Sequence, residues 1–148
     1  MGTAYATDIV AWAREQAALL RSGQLSALDI EHMAEEIEDV GKAEQRELAR
    51  RVAVLLAHLL KWQHQPGRRG SSWTRTLKEQ RKAIAAALRQ TPSLKASLTD
   101  ADWLAGVWAD AVTKAIDGIG LDSFPEDCPW PMTQVLAEDF PENMMINK

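Results

Sequence analysis

Cysteine is almost missing from this chain: Cys128 is the only one in 148 residues. No intramolecular disulfide can form, and there is no CxxC pair or Cys/His set at zinc spacing. A reducing compartment, the cytoplasm, is therefore expected. Long apolar runs are missing too. The longest, Val52 to Leu60, is interrupted by His58 and is less than half the roughly 20 residues that cross a bilayer. The first fourteen residues carry no basic region followed by an apolar stretch, so neither a secretory leader nor a membrane span is expected. No segment alternates as a strand does, and no repeat is visible. A Walker loop, GxGxxG, GxSxG and a Cys/His nucleophile pair are all absent, which removes the best-marked nucleotide-binding and hydrolase classes.

What is present is ordinary globular chemistry: 46% apolar residues, 26% charged residues and a formal net charge of -4. The length predicts one domain over 1–148, with an ordered core at about 5–141 and a frayed tail at 142–148. The aromatics are lopsided, with six Trp against two Phe and one Tyr. A small core has to place them.

Between its Gly, Pro and Ser punctuation the chain keeps a period near 3.6. A first helix is predicted over 7–22, with Thr7 as N-cap, Trp12, Gln16 and Leu19 on one face, and Ser22-Gly23 as the stop. A second opens at Ser26, with Asp29 completing an acidic variant of the capping box. Its apolar seam of Ile30, Met33, Ile37 and Val40 keeps phase through Gly41 to Leu48, Val52, Leu55, Leu59 and Trp62. The spacing favours one long central helix over 26–64, continuous or kinked at Gly41, over two helices with a turn at 41–43. Further helices are predicted at 73–90, capped by Ser72, and at 100–117, where Thr99 and Asp102 repeat the capping pattern. Pro125, Pro129 and Pro131 make 121–132 an extended segment anchored by Phe124, Cys128 and Trp130, before a short helix opened by Thr133.

The net charge conceals segregation. Residues 1–41 hold eight acids and two bases, 42–95 three acids and thirteen bases, and 96–148 ten acids and two bases. Complementary packing of acidic and basic helices is the simplest account. The alternative is a nucleic-acid or phosphate face built from the basic middle segment 42–95, including Arg68, Arg69, Arg75, Lys78, Arg81, Lys82 and Arg89.

Two constellations carry chemistry. His32 and Glu36, at i and i+4, are a ligand pair that His58 would extend into a divalent-metal site. The pattern is common by chance, the chain has no ExxH, and no cofactor is predicted. The second lies around His58-Leu59-Leu60-Lys61-Trp62 and the Pro66-Gly67-Arg68-Arg69 loop. There His58, Lys61, Trp62, Arg68, Arg69, Trp73 and Arg81 would hold an anionic ligand. The plain reading makes His58 a packed histidine hydrogen-bonded to a carboxylate such as Glu36, and packs Trp62 on Trp73 to close the loop.

The string Glu35-Glu36-Ile37-Glu38 with Gly41-Lys42 is followed by His58-Leu59-Leu60-Lys61-Trp62, Gln65-Pro66, Trp73 and Arg81. Pro92-Ser93-Leu94, Phe124-Pro125 and Cys128-Pro129-Trp130 come after these in order. The whole combination resembles the bacterial domain-of-unknown-function family number twenty-nine over about Tyr5 to Pro141. The resemblance implies a small all-helical bacterial protein and no particular activity.

The expectation is thus an all-α, single-domain bundle of five or six helices acting as a non-enzymatic interaction module, with a protein partner or a second copy. A metal-dependent hydrolase and a nucleic-acid or phosphate binder are the alternatives.

Overall fold

In a computed structural model of the chain, the structure describes residues 2–119 and 124–141. The expected start of the Pro-rich segment at 121–123 and the tail at 142–148 lie outside the described residues. The fold is an all-α bundle with no strand among the described residues. Its helices are α1 (Ile9–Arg21), α2 (Ile30–His64), α3 (Ser71–Gln90), α4 (Ala101–Ile119) and the single turn α5 (Met132–Val135). Three short 3₁₀ segments, Leu25–Ala27, Pro66–Arg68 and Pro92–Thr99, join them. None of the described helices is long and apolar enough to cross a membrane.

The start signals show what decides a helix boundary. Asp8, one residue past the expected Thr7, caps α1 by accepting from the Ala11 N–H at 3.1 Å. Asp29, three residues past Ser26, caps α2 by accepting from the His32 N–H, and Ser26 falls in the 3₁₀ turn before it. Asp100, one residue past Thr99, caps α4 by accepting from the N–H groups of Asp102 and Trp103. In each case a carboxylate displaces the nearby hydroxyl, because a full negative charge is the better acceptor at the positive end of the helix dipole. The expected Ser72 cap is also shifted: α3 begins at Ser71 behind Gly70. The α1 stop is as expected. Gly23 takes φ +75°, and the Gly23 and Gln24 N–H groups donate back to Leu20 and Leu19 in a Schellman turn.

The chain divides into two compact units, Met1–Ala43 and Glu44–Lys148. α2 runs unbroken past Gly41, so the continuous reading of the long helix holds. Its first half belongs to the first unit and its second half to the second.

The second unit contains the apolar core. Nine residues of α2 between Leu48 and Trp62 are buried, at a density that covers most of the helix circumference, as a central helix requires. Around it pack Leu77 and Ile84 of α3, Leu94, and Val107, Trp108, Ala111 and Ala115 of α4. Val135 and Phe140 close the same core from the C-terminal side. The single-turn α5 begins at Met132 behind Pro131, one residue before Thr133, so the expected hydroxyl does not open it.

The first unit is built differently. Among its described residues only Trp12 and Gln16 are buried, and polar side chains hold its parts together.

Candidate functional site

In the first unit the residues before α1, α1 itself and the start of α2 meet at one polar and aromatic cluster. Asp29 Oδ2 accepts from Trp12 Nε1 at 2.9 Å and from His32 Nδ1 at 2.8 Å. The Asp29 backbone N–H donates to Gln16 Oε1 at 2.8 Å. Tyr5 stacks on His32 with ring centroids 4.3 Å apart and planes 9° apart, meets Trp12 edge-on, and donates its hydroxyl proton to Glu36 Oε1. Spacings of 3 and 4 put Asp29, His32 and Glu36 on one edge of the α2 start, which lets one short segment engage all three.

The electrostatics follow. The hydrogen bond from His32 holds the Asp29 carboxyl below its ordinary value. The same bond, helped by the charge of Asp29 and by Glu35 and Glu31, raises the His32 imidazole above its own. The Tyr5 phenol, bonded to Glu36, is pushed up to about 12. Asp29 and His32 form the pairing that elsewhere orients a general base. Here both carboxylate oxygens are engaged inside the cluster and the imidazole lies under Tyr5, so the arrangement ties three chain segments together. Sequence spacing marked the Asp29, His32 and Glu36 edge. Tyr5 and Trp12, which complete it, had no such signal.

The metal proposal finds no such geometry. His32 and Glu36 share their helix edge with Asp29, whereas His58 belongs to the second unit. No group of three His, Cys, Asp or Glu that could hold an ion occurs among the described residues. His58 is partly buried, and its Nδ1–H donates to the Val54 carbonyl one turn back at 3.0 Å. The expected His58–Glu36 bond is not what either residue makes. Desolvation lowers the His58 imidazole below its ordinary value, with the Lys61 charge adding to the effect.

The residues expected to hold an anion are spread over different tasks. Arg69 donates to the Trp62 carbonyl at 2.7 Å, and its guanidinium lies 5.3 Å over the Trp62 ring. That cation–π contact holds the Pro-Gly loop where a Trp62–Trp73 pair was expected. Trp73 is half-buried against the core, Lys61 is half-buried and Arg68 exposed. Arg81 is buried, and its guanidinium donates to backbone carbonyls of Val135, Glu138 and Phe140.

A cleft the sequence did not point to opens elsewhere in the second unit, between α4 and the segment 124–132. It measures about 620 Å³ and is lined chiefly by apolar side chains, among them Leu56, Leu104, Trp108, Val112, Trp130 and Met132. Trp130 stands edge-on to Trp108 at 6.3 Å and to Phe140 at 5.6 Å. Phe124 and Cys128 are half-buried beside it, so the three expected anchors of the Pro-rich segment do pack on the core. The Cys128 thiol donates to the Trp130 carbonyl at 3.3 Å, and burial pushes its pKa up, so it is held as the unreactive thiol.

No curated protein and no solved structure matches the chain. The sequence pattern described as Domain of unknown function DUF29 does match, over residues 4–141, and with nearly its whole length covered the chain belongs to that family.

Proposed function

We propose that this protein is a helical protein-interaction module in which the second unit is the folded body and the first unit is the part offered to a partner. One observation carries the reading. Among the described residues, all seven large hydrophobic side chains left exposed fall in the first unit: Ile9, Val10, Leu20, Leu25, Ile30, Ile37 and Val40.

Ile30, Ile37 and Val40 are 70%, 69% and 67% exposed, although with Met33 they make the 3, 4, 3 spacing that knobs-into-holes packing uses. Burying a side chain of this kind contributes about 1.5–3 kcal/mol. A 43-residue unit with two buried residues among those described leaves that contribution unused, and units this small seldom stabilise themselves without a staple or a partner. The spacing selects a helix as the partner element. Residues 1–41, which include the seam, hold eight acids against two bases; that excess favours a basic amphipathic helix and opposes two such faces meeting side by side.

The test places a photo-crosslinking amino acid at position 37 in cells that make the protein, with position 82 on α3 as the exposed control. A discrete adduct from position 37 alone is expected, lost when Ile30→Asp and Val40→Asp are added. Equal, diffuse labelling from both positions overturns the reading. Light scattering on the purified protein identifies the case in which the partner is a second copy.

A further inference from the structure

We infer that the apolar cleft between α4 and residues 124–132 is a binding site for a small apolar or aromatic ammonium compound. Its volume of about 620 Å³ falls within the roughly 300–1,000 Å³ that small-molecule sites occupy. Its walls supply two indoles, Trp108 and Trp130, and the adaptable thioether of Met132.

The polar groups choose the sign of the ligand. Trp108 Nε1 is committed to the Pro125 carbonyl at 3.1 Å, and the Cys128 thiol to the Trp130 carbonyl. Neither donor is left for an anion or a carbonyl. No Lys, Arg or His is among the lining residues, whereas the carboxylates of Glu126 and Asp127 are. An anion entering here would lose its hydration and meet like charge, which low-dielectric walls make more costly. A cation on an apolar body meets the opposite situation: carboxylates at one side and indole faces, suited to cation–π contact, at the other. Glu126 and Asp127 are both exposed, so they form the mouth of the cleft, and the apolar body occupies the floor against Leu56 and Trp108.

Three molecules with one skeleton test this: 4-phenylbutylammonium, 4-phenylbutyrate and the neutral 4-phenylbutanol. Each is titrated into the full-length protein by calorimetry and by tryptophan fluorescence excited at about 295 nm, where indole absorbs and phenyl does not. The ammonium compound is expected to saturate one site and to bind at least about tenfold more tightly than the butyrate, a gap of about 1.4 kcal/mol. Replacing both carboxylates, Glu126→Gln with Asp127→Asn, lowers the ammonium-to-butyrate ratio several-fold, the indole faces keeping the remainder, and leaves the alcohol unchanged. Ala105→Trp fills the cleft from an exposed position on α4 and abolishes binding of all three; if that variant does not fold, Ala109→Trp, also exposed and lining the cleft, replaces it. The inference is overturned if the ammonium compound fails to saturate, if the butyrate binds as tightly, or if the ratio survives undiminished in the carboxamide variant.

Discussion

Arg81 Nε donates to the carbonyl oxygen of Val135 at 3.0 Å across 54 residues of chain. The same guanidinium reaches the carbonyls of Glu138 and Phe140. An arginine of the basic segment thus serves as the clamp on the C-terminal part of the fold. Its planar fork of donors suits a cluster of carbonyls that no lysine ammonium can span.

Arg81→Met keeps most of the stem volume and removes the donors. Stability is expected to fall by about 3 kcal/mol, since hydrogen bonds from a charged donor are lost and buried carbonyls are left without it. Urea denaturation measures the fall, and limited proteolysis should cut first near residues 136–141. Arg81→Lys should recover less than half of the loss.

Gly41 sits inside α2 with nothing within 4 Å of where a Cβ would be. Gly41→Ala should therefore stabilise the helix by about 0.5–1 kcal/mol. Far-UV circular dichroism against temperature checks it. A loss of stability would show that the glycine is needed for something other than the helix.

The Asp29–His32 pair fixes a pH window. His32 is raised, so its contribution is complete below about pH 6.5 and is lost as pH rises through the raised value. Asp29 is lowered, so its contribution is present above about pH 3.9 and is lost as pH falls through the lowered value. The first unit is therefore expected to hold together best between these limits. Proton NMR of the His32 ring should show a midpoint above the ordinary one, and Asp29→Asn should bring it back down. An unchanged midpoint in that variant would remove Asp29 as the cause.

His58 works in the opposite direction. Burial lowers it, so the unfolded chain takes up the proton first, and the second unit loses stability as pH falls below about 6.5. Near-UV circular dichroism reads this through the tryptophans of that unit. His58→Gln should flatten the decline between about pH 6.5 and 5 while leaving the His32 titration in place.

Much of this architecture was legible along the chain because it is written in short-range periodicity. The seam through Gly41 and the Schellman stop at Gly23 depend on residues within a few turns of one another, and the Pro-rich string marked Trp130 as an anchor without naming Trp108 as what it packs on. Helix caps were readable to within one to three residues, and the carboxylates at Asp8, Asp29 and Asp100 won over the hydroxyls beside them. Periodicity misled in one respect. It assigns Ile30, Ile37 and Val40 the same inward face as Leu48 and Val52, yet the first three are exposed and the last two are buried. A repeat records which side of a helix is apolar; it does not record whether anything covers that side.

Sequence by itself determined the helical class, the long α2 element, the order of the parts and the family, because each depends on local spacing or on an ordered string of residues. Only the tertiary structure decided what the individual polar groups do. Arg81 went to the carbonyls of the C-terminal segment, Arg69 to Trp62, His58 to Val54, and His32 to Asp29 beneath Tyr5. The Arg81 bonds and the Tyr5 cover of His32 depend on which distant segments arrive beside them; Arg69, His58 and His32 take partners within seven residues, and packing decides that this near group is the one within about 3 Å.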